Sequence, residues 1–294
     1  MKLLRAATLS TPIVSDAARR YVEWLDYRVV EEGRVSEALA SSWGAPASAD
    51  RRYAILAPAS GADVYLRFVE NDPPAAYRPL RSFGWAAIEI CVTDVLAVND
   101  RMKASPFEII GPPREIPGLT AIFPMQVKGP DQEIVYLTQI RDDLPAYDLP
   151  RAKTLIDTFF IAVLACSDMA ASLRWFESVV GLQAGRAMDI EYTMLAAAFG
   201  TPKEQLYSIA TMTHGRDVFL ELDQYPDAAT VRPQVKGALP PGVAVVTLKH
   251  PDIDSVKGDW ISPPTRRDGP IYGGGRVGVL RDPDGALVEI VEIV

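Results

Sequence analysis

Short runs of alternating apolar and polar residues recur along the chain and predict β-strands. YAILAP (53–58) and DVYLRFV (63–69) form one pair of runs, and LYSIATM (206–212) and DVFLEL (217–222) form another. Residue types that favour strands dominate these runs, and turns that contain Gly and Asp separate the members of each pair. The pattern therefore predicts antiparallel hairpins.

A longer apolar spacing predicts helices between the strands. One helical face carries Met169, Leu173, Phe176 and Val180. Asp168 before them is a suitable N-cap, and Gly181 after them is a suitable C′ residue. A looser version of the pattern begins at Ile13 and ends at Trp24, before a turn at Asp26.

The second half of the sequence repeats the first. ADVYLRFVENDP (62–73) aligns with RDVFLELDQYPD (216–227), SSWGAP (41–46) with AAFGTP (197–202), and KGPDQEIVYLTQI (128–140) with RDPDGALVEIVEI (281–293). All three matches have nearly the same offset, which places Arg67 opposite Glu221 and Tyr136 opposite Glu289. A constant offset indicates a duplicated structural unit.

Each half divides again, because AAIEICVTDVLAV (86–98) and FIAVLACSDMAAS (160–172) share a strand that ends in Thr/Ser-Asp before a helical pattern. The chain is therefore predicted to be an α+β protein of four βαβββ modules, at about 4–70, 84–140, 156–223 and 241–294. The proline-containing segment DDLPAYDLPRAK (142–153) favours an extended connector. We predict an N-terminal domain at 1–141, a linker at 142–154 and a C-terminal domain at 155–294.

Composition and charge narrow the classes of partner. The 294 residues carry a net charge of −8, and the basic residues are scattered, so no nucleic-acid surface is expected. No stretch of 18 uncharged apolar residues predicts a membrane span, and we expect a soluble cytoplasmic protein, monomeric or homodimeric. The two cysteines, Cys91 and Cys166, lie in apolar runs and are expected to be buried thiols.

The paired modules and the ending DPDGALVEIVE resemble the vicinal oxygen chelate superfamily, which includes glyoxalase I, extradiol dioxygenases and bleomycin resistance proteins. The resemblance covers nearly the whole chain and is clearest in FIAVLACSDMAASLRWFESVVGL (160–182) and RVGVLRDPDGALVEIVE (276–292). It implies that modules pair into incomplete β-barrels around a cavity, two such barrels in this chain. One fold hosts many chemistries, so the resemblance implies the fold more firmly than the function.

In that superfamily, catalytic members hold a divalent metal through residues in the first and last strands of each module. The first-strand positions, counted back from the start of each helix, are Ala6, Ala87, Ile161 and Val245, none of which binds a metal. The last-strand positions hold Arg67, Tyr136, Glu221 and Glu289. The chain has only two histidines, His214 and His250, which are expected at the surface. No tightly bound transition metal is therefore expected; the remaining option is a hard divalent cation at Glu221 and Glu289.

Two sets of residues are candidates for chemistry without a metal. In the first half, Glu89, Arg67 and Tyr136 are predicted to point into one cavity, where Arg67 holds an anionic group and the other two move or share a proton. The alternative is an internal ion pair between Arg67 and Glu89 under Tyr136. In the second half, Glu221 and Glu289 are predicted to face each other as an acid/base pair, unless Glu289 faces solvent.

Two aromatic residues are further candidates for substrate contacts: Trp85 at the edge of its module, and Tyr272 in the glycine-rich run PIYGGGRVGVL (270–280). The sequence favours an enzyme over a binding protein. The expected reaction is isomerase- or lyase-type proton transfer on a small hydrophobic or aromatic molecule that carries a carbonyl or enol. The alternative is a non-catalytic protein that sequesters a small molecule, of the bleomycin-resistance type.

Overall fold

The chain folds into four modules of similar plan. A computed structural model describes residues 2–293. The first module contains β1 (Leu4–Thr11), α1 (Val14–Trp24), β2 (Tyr27–Arg34), α2 (Glu37–Ser42), β3 (Arg52–Pro58) and β4 (Tyr65–Glu70). The second contains β5 (Gly84–Val92), α3 (Val95–Lys103), β6 (Glu108–Gly111), β7 (Ile122–Lys128) and β8 (Ile134–Ile140).

The third module contains β9 (Ile156–Cys166), α4 (Met169–Trp175), β10 (Gln183–Glu191), α5 (Thr193–Phe199), β11 (Leu206–His214) and β12 (Asp217–Gln224). The fourth contains β13 (Val243–His250), β14 (Ser262–Arg266), β15 (Arg276–Arg281) and β16 (Leu287–Glu292). In the fourth module a short 3₁₀ turn, Ile253–Ser255, replaces the helix. The predicted strand–helix–three-strand plan therefore holds in three modules and is shortened in the last.

The helix predicted after Asp168 shows how local sequence sets the elements. The Asp168 side chain accepts a hydrogen bond from the Ala171 N–H and caps α4. A π-helical turn, Phe176–Val180, continues α4 to Gly181, whose φ of 76° is in the left-handed region that favours glycine. The apolar face of this segment packs into the main core, as its spacing predicts.

The modules pair across the two halves of the sequence. The first sheet has the strand order β14-β15-β16-β13-β1-β4-β3-β2 and joins modules one and four; the second has the order β10-β11-β12-β9-β5-β8-β7-β6 and joins modules two and three. Antiparallel pairing of β1 with β13 and of β5 with β9 makes the two joins. Each sheet therefore contains strands from both sides of the segment 142–154, and neither closes into a barrel.

Strand alternation gives each sheet two different faces. One face of each sheet packs, with α1, α3 and α4, into a shared apolar core that contains Leu9, Phe68, Ile90 and Leu164. The opposite faces carry separate smaller clusters, one on the second sheet and two on the first. Arg67, Tyr136, Glu221 and Glu289 all lie on these opposite faces, so each sheet has its own candidate site.

No helix among residues 2–293 is long and apolar enough to cross a membrane. Cys91 and Cys166 are buried free thiols, as the sequence predicts.

Candidate active site

The last-strand position of each module lies beside a residue of that module's first strand. The parallel pairs are Arg67 with Thr8, Tyr136 with Glu89, Glu221 with Val163, and Glu289 with Thr247. The first-strand residues are two positions further along than the sequence count placed them. Because the modules pair across halves, the first sheet combines Thr8, Arg67, Thr247 and Glu289, and the second combines Glu89, Tyr136, Val163 and Glu221.

In the first sheet these residues form a closed ion pair. Arg67 Nη2 lies 3.5 Å from Glu289 Oε2, and both side chains are buried. Arg67 donates through Nε to Thr8 Oγ1 at 2.9 Å and through Nη1 to the Tyr272 hydroxyl at 2.6 Å. Its guanidinium also lies over the ring of Trp43, 4.6 Å from the centroid. The arginine is therefore held on several sides.

Glu289 is held as firmly as its partner. It accepts hydrogen bonds from Trp43 Nε1 at 2.9 Å and from the Tyr272 hydroxyl at 3.1 Å on one oxygen, and from Thr247 Oγ1 at 2.7 Å on the other. Burial lowers the pKa of Arg67, but Tyr272 and Glu289 outweigh it and the net pKa is raised. Glu289 thus faces inward as predicted, but its oxygens are committed to structural partners.

A mainly apolar cavity of about 120 Å³ lies on the second sheet. Its walls come from β5, β7, β8, β9, β10, β11 and β12 and from the loops at 116–122 and 144–149; they include Ile116, Leu149, Phe160, Ile161 and Met188. Glu89, Tyr136, Tyr192 and Glu221 supply polar groups to the same cavity. An apolar cavity with a few convergent polar groups is typical of a small-molecule site.

Glu89, Glu221 and Asp223 form no ion pair among the described residues, although Arg186 also lines the cavity. Burial raises the pKa of Glu89 to about 8; Glu221 adds to the rise, and the Thr138 hydroxyl, which donates to Glu89 Oε1 at 2.5 Å, opposes it. Burial and then Asp223 raise the pKa of Glu221. Glu221 keeps some accessible surface because it faces the cavity, although it lies deep beneath the molecular surface.

Asp223 and Tyr192 belong to the same cluster. Burial raises the pKa of Asp223 to about 7, and both of its carboxyl oxygens are buried without a hydrogen bond of good geometry among the described residues. The Tyr136 and Tyr192 hydroxyls lie 2.6 Å apart, and the Tyr192 hydroxyl lies 3.4 Å from Glu221 Oε1. A chain of hydroxyl groups thus connects Tyr136 to Glu221.

The structure separates both predicted groupings. Arg67 is on the first sheet, whereas Glu89 and Tyr136 are together on the second, so the predicted trio does not form. The predicted alternative, an ion pair between Arg67 and Glu89 under Tyr136, does not form either. Arg67 pairs with Glu289 and lies beside Tyr272. Glu221 and Glu289 lie on different sheets and neither face each other nor share a cation.

The two aromatic candidates, Trp85 and Tyr272, make contacts that stabilise the fold. Trp85 is buried in the core between the sheets and donates from Nε1 to the Leu287 carbonyl at 2.8 Å, so it does not line the cavity of the second sheet. Tyr272 belongs to the closed ion pair. Asp223 was missed, although it is two residues beyond Glu221 and alternation places it on the same face. Tyr192 lies between β10 and α5, and none of the three repeated sequence segments includes it.

Known structures with the same arrangement identify the fold. Glyoxalase I from Zea mays matches with a TM-score of 0.66 at 17% identity, over 99% of this chain and 92% of that chain. A putative dioxygenase from Bacillus subtilis matches with a TM-score of 0.61 at 13% identity, over 99% of this chain and 86% of that one. The chain has the vicinal oxygen chelate fold. No family model matches the sequence, and no curated protein matches it.

The donor sets of this vicinal oxygen chelate fold do not fit a transition metal. In the first sheet a guanidinium occupies one of the four positions, and in the second Val163 offers no donor. Among the residues that the structure describes, no three His, Cys, Asp or Glu side chains are placed to hold a metal ion. Neither histidine lines the cavity of the second sheet; His250 is buried, contrary to expectation, with its ring 3.1 Å from the Val180 carbonyl.

Proposed function

We propose that the cavity of the second sheet is the active site of an enzyme that moves a proton on a small hydrophobic molecule carrying a carbonyl or enol. The reaction type is isomerisation or a related lyase reaction. One observation carries the proposal: two carboxyl groups whose pKa values are raised by burial project into an apolar cavity beside two tyrosine hydroxyls. Buried acids of this kind are suited to general acid–base catalysis.

Glu89 is the proposed base. Thr138 donates to its Oε1, which leaves Oε2 without a hydrogen bond among the described residues and available to a proton on carbon. A carboxylate with a pKa of about 8 is a far stronger base than one in water, because burial destabilises its charge. It removes the proton from the carbon next to the carbonyl and returns it at the position that completes the isomerisation.

Tyr136 is the proposed donor to the substrate oxygen. Either hydroxyl of the Tyr136–Tyr192 pair can donate to the other, and when Tyr192 donates to Tyr136, the Tyr136 proton is free to point at the cavity. Burial raises the pKa values of both tyrosines, so they stay protonated at neutral pH. Such a donor stabilises the negative charge that develops on the oxygen as the enolate forms.

The proposal is tested by deuterium exchange, which requires no knowledge of the natural substrate. Acetophenone and 4-phenyl-2-butanone are incubated with the protein in D₂O, and deuterium incorporation next to the carbonyl is followed by mass spectrometry. We expect catalysed exchange by the wild type and a loss of at least about 100-fold in Glu89→Gln. Glu23→Gln, an exposed change on α1, is the matched control and should exchange at the wild-type rate.

The pH dependence gives a second readout. Because Glu89 acts as a base, the exchange rate should rise as the pH rises through about 8. Tyr136→Phe should lower the rate without moving this midpoint. Binding of both ketones without exchange above background, at any pH from 6 to 9, would contradict the proposal and favour the alternative, a sequestering protein of the bleomycin-resistance type.

Metal independence is part of the proposal and has its own test. Protein purified without chelator is analysed for iron, zinc, nickel and manganese by mass spectrometry. Exchange activity that is unchanged after dialysis against EDTA supports proton transfer by side chains alone. A stoichiometric metal whose removal abolishes exchange would require a different mechanism.

A further inference from the structure

A second cavity lies on the first sheet, outside the Arg67–Glu289 ion pair. It has a volume of about 290 Å³ and is formed by β2, β3, the start of α2 and the loop from Arg266 to Tyr272. Four arginines contribute to its walls: Arg34, Arg67, Arg266 and Arg267. Two carboxylates, Glu31 and Asp268, also line it. Arg67 is paired with Glu289 and Arg34 with Asp50, which leaves Arg266 and Arg267 as the arginines of this cavity without a carboxylate partner among the described residues.

Two of these arginines have hydrogen-bond donors without acceptors. Arg67 Nη2 lies 3.5 Å from Glu289 Oε2, but the contact does not have the geometry of a hydrogen bond. Among the described residues, Arg67 Nη2 and Arg267 Nε both lack a hydrogen-bond partner. Both nitrogen atoms are buried, and Arg67 is only 1% exposed. A buried cationic donor without an acceptor is costly, so two at one cavity indicate that an acceptor belongs there.

The neighbouring carboxylates do not supply that acceptor. Glu31 accepts from the Tyr53 hydroxyl at 2.6 Å, and Glu289 is already engaged by Trp43, Tyr272 and Thr247. The remaining lining includes the apolar side chains of Leu39, Ile55 and Ile271 together with two tyrosines. The cavity therefore combines two guanidinium nitrogen atoms that lack a hydrogen-bond acceptor with apolar walls, a combination that suits an anionic group on an organic body.

We propose that this cavity binds a small organic carboxylate, with the carboxylate against Arg67 and Arg267 and the organic body against Leu39 and Ile55. The site is independent of the proton-transfer site on the second sheet. The two cavities should bind ligands of different charge, because carboxyl groups such as Glu89 and Glu221 line the second-sheet cavity, whereas arginines line the first-sheet cavity.

The test uses benzoate as the probe and benzamide as its uncharged counterpart. Binding of each to the wild-type protein is measured by saturation-transfer NMR titration at low and at physiological salt. We expect saturable binding of benzoate, at least tenfold weaker binding of benzamide, and weaker benzoate binding at higher salt. Failure to detect saturable benzoate binding would show that solvent satisfies the orphan donors and would overturn the proposal.

Variants locate the site without disturbing the buried ion pair. Arg267→Gln should weaken benzoate binding about tenfold, because it removes one charge-assisted donor. Arg174→Gln, which removes an equal charge from the exposed side of α4, should leave it unchanged. Equal effects of the two variants would mean that benzoate responds only to overall charge, and saturable binding of inorganic phosphate but not benzoate would refute the carboxylate assignment. Activity at the other cavity does not enter this test.

Discussion

Removal of either partner of the Arg67–Glu289 pair should strongly destabilise the protein, whereas removal of both should not. Both side chains are essentially inaccessible to solvent, so Glu289→Leu leaves a buried guanidinium whose remaining polar contacts are Thr8 and Tyr272. Breaking one side of a buried pair typically costs about 3–5 kcal/mol. A domain's total stability is of order 5–15 kcal/mol, so this loss should be easily measured.

The two single substitutions should differ in size. Arg67→Met leaves Glu289 with three hydrogen-bond donors, which still stabilise its charge, and should fall near the lower end of that range. Glu289→Leu leaves a cation with two hydroxyl acceptors and also frees Trp43 Nε1, so it should fall near the upper end. The double substitution should lie within about 2 kcal/mol of the wild type, because apolar side chains replace both charges.

The assay is urea unfolding followed by tryptophan fluorescence and circular dichroism, with the four proteins compared as a double-mutant cycle. Lys103→Met is the matched control, since it breaks the exposed pair with Asp100 and should cost less than about 1 kcal/mol. A coupling energy below about 1 kcal/mol between Arg67 and Glu289 would refute the closed ion pair. Glu289 would then again be a candidate for chemistry.

Three further predictions concern stability. Burial raises the pKa of Glu133 to about 7, so protonation of Glu133 favours the folded state, and this contribution to stability is lost as the pH rises from about 4.5 to 7. Glu133→Gln should remove this pH dependence and stabilise the protein at pH 8 by about 3 kcal/mol. An unchanged curve of stability against pH would contradict the prediction. Gly242→Ala should lower the melting temperature more than Gly200→Ala, because both glycines have positive φ but only at Gly242 does a Cβ meet Tyr77 Oη, at 2.4 Å. Asp168→Ala removes the N-cap of α4 and should cost about 1 kcal/mol in urea unfolding, whereas Asp168→Asn should cost little.

The local elements were predictable because each depends on neighbouring residues. Alternation and turn residues defined the hairpin β11–β12, and Asp168 and Gly181 marked both ends of one helix. The pairing of modules was not predictable in the same way. Modules one and three have similar patterns, and the choice between partners depends on the contacts of β1 with β13 and of β5 with β9, which are distant in sequence.

The errors at the candidate sites follow from that pairing. Arg67 was grouped with Glu89 because both lie in the first half of the sequence, yet the strands that bring charges together come from opposite halves. The inward orientation of Arg67, Tyr136 and Glu289 was nevertheless correct, because it depends only on alternation within one strand. Orientation is a local property, whereas the identity of a charge's partner is not.

The two sheets use equivalent positions in physically opposite ways. In the first, Arg67 and Glu289 neutralise each other, four neighbouring side chains supply their hydrogen bonds, and the centre is closed. In the second, Glu89 and Glu221 are both acidic, neither forms an ion pair among the described residues, and a mainly apolar cavity remains open beside them. Buried acids without a basic partner reduce stability. A group of buried acids that the packing does not neutralise is more readily explained by binding or catalysis than by packing, which is why we propose the activity for the second sheet.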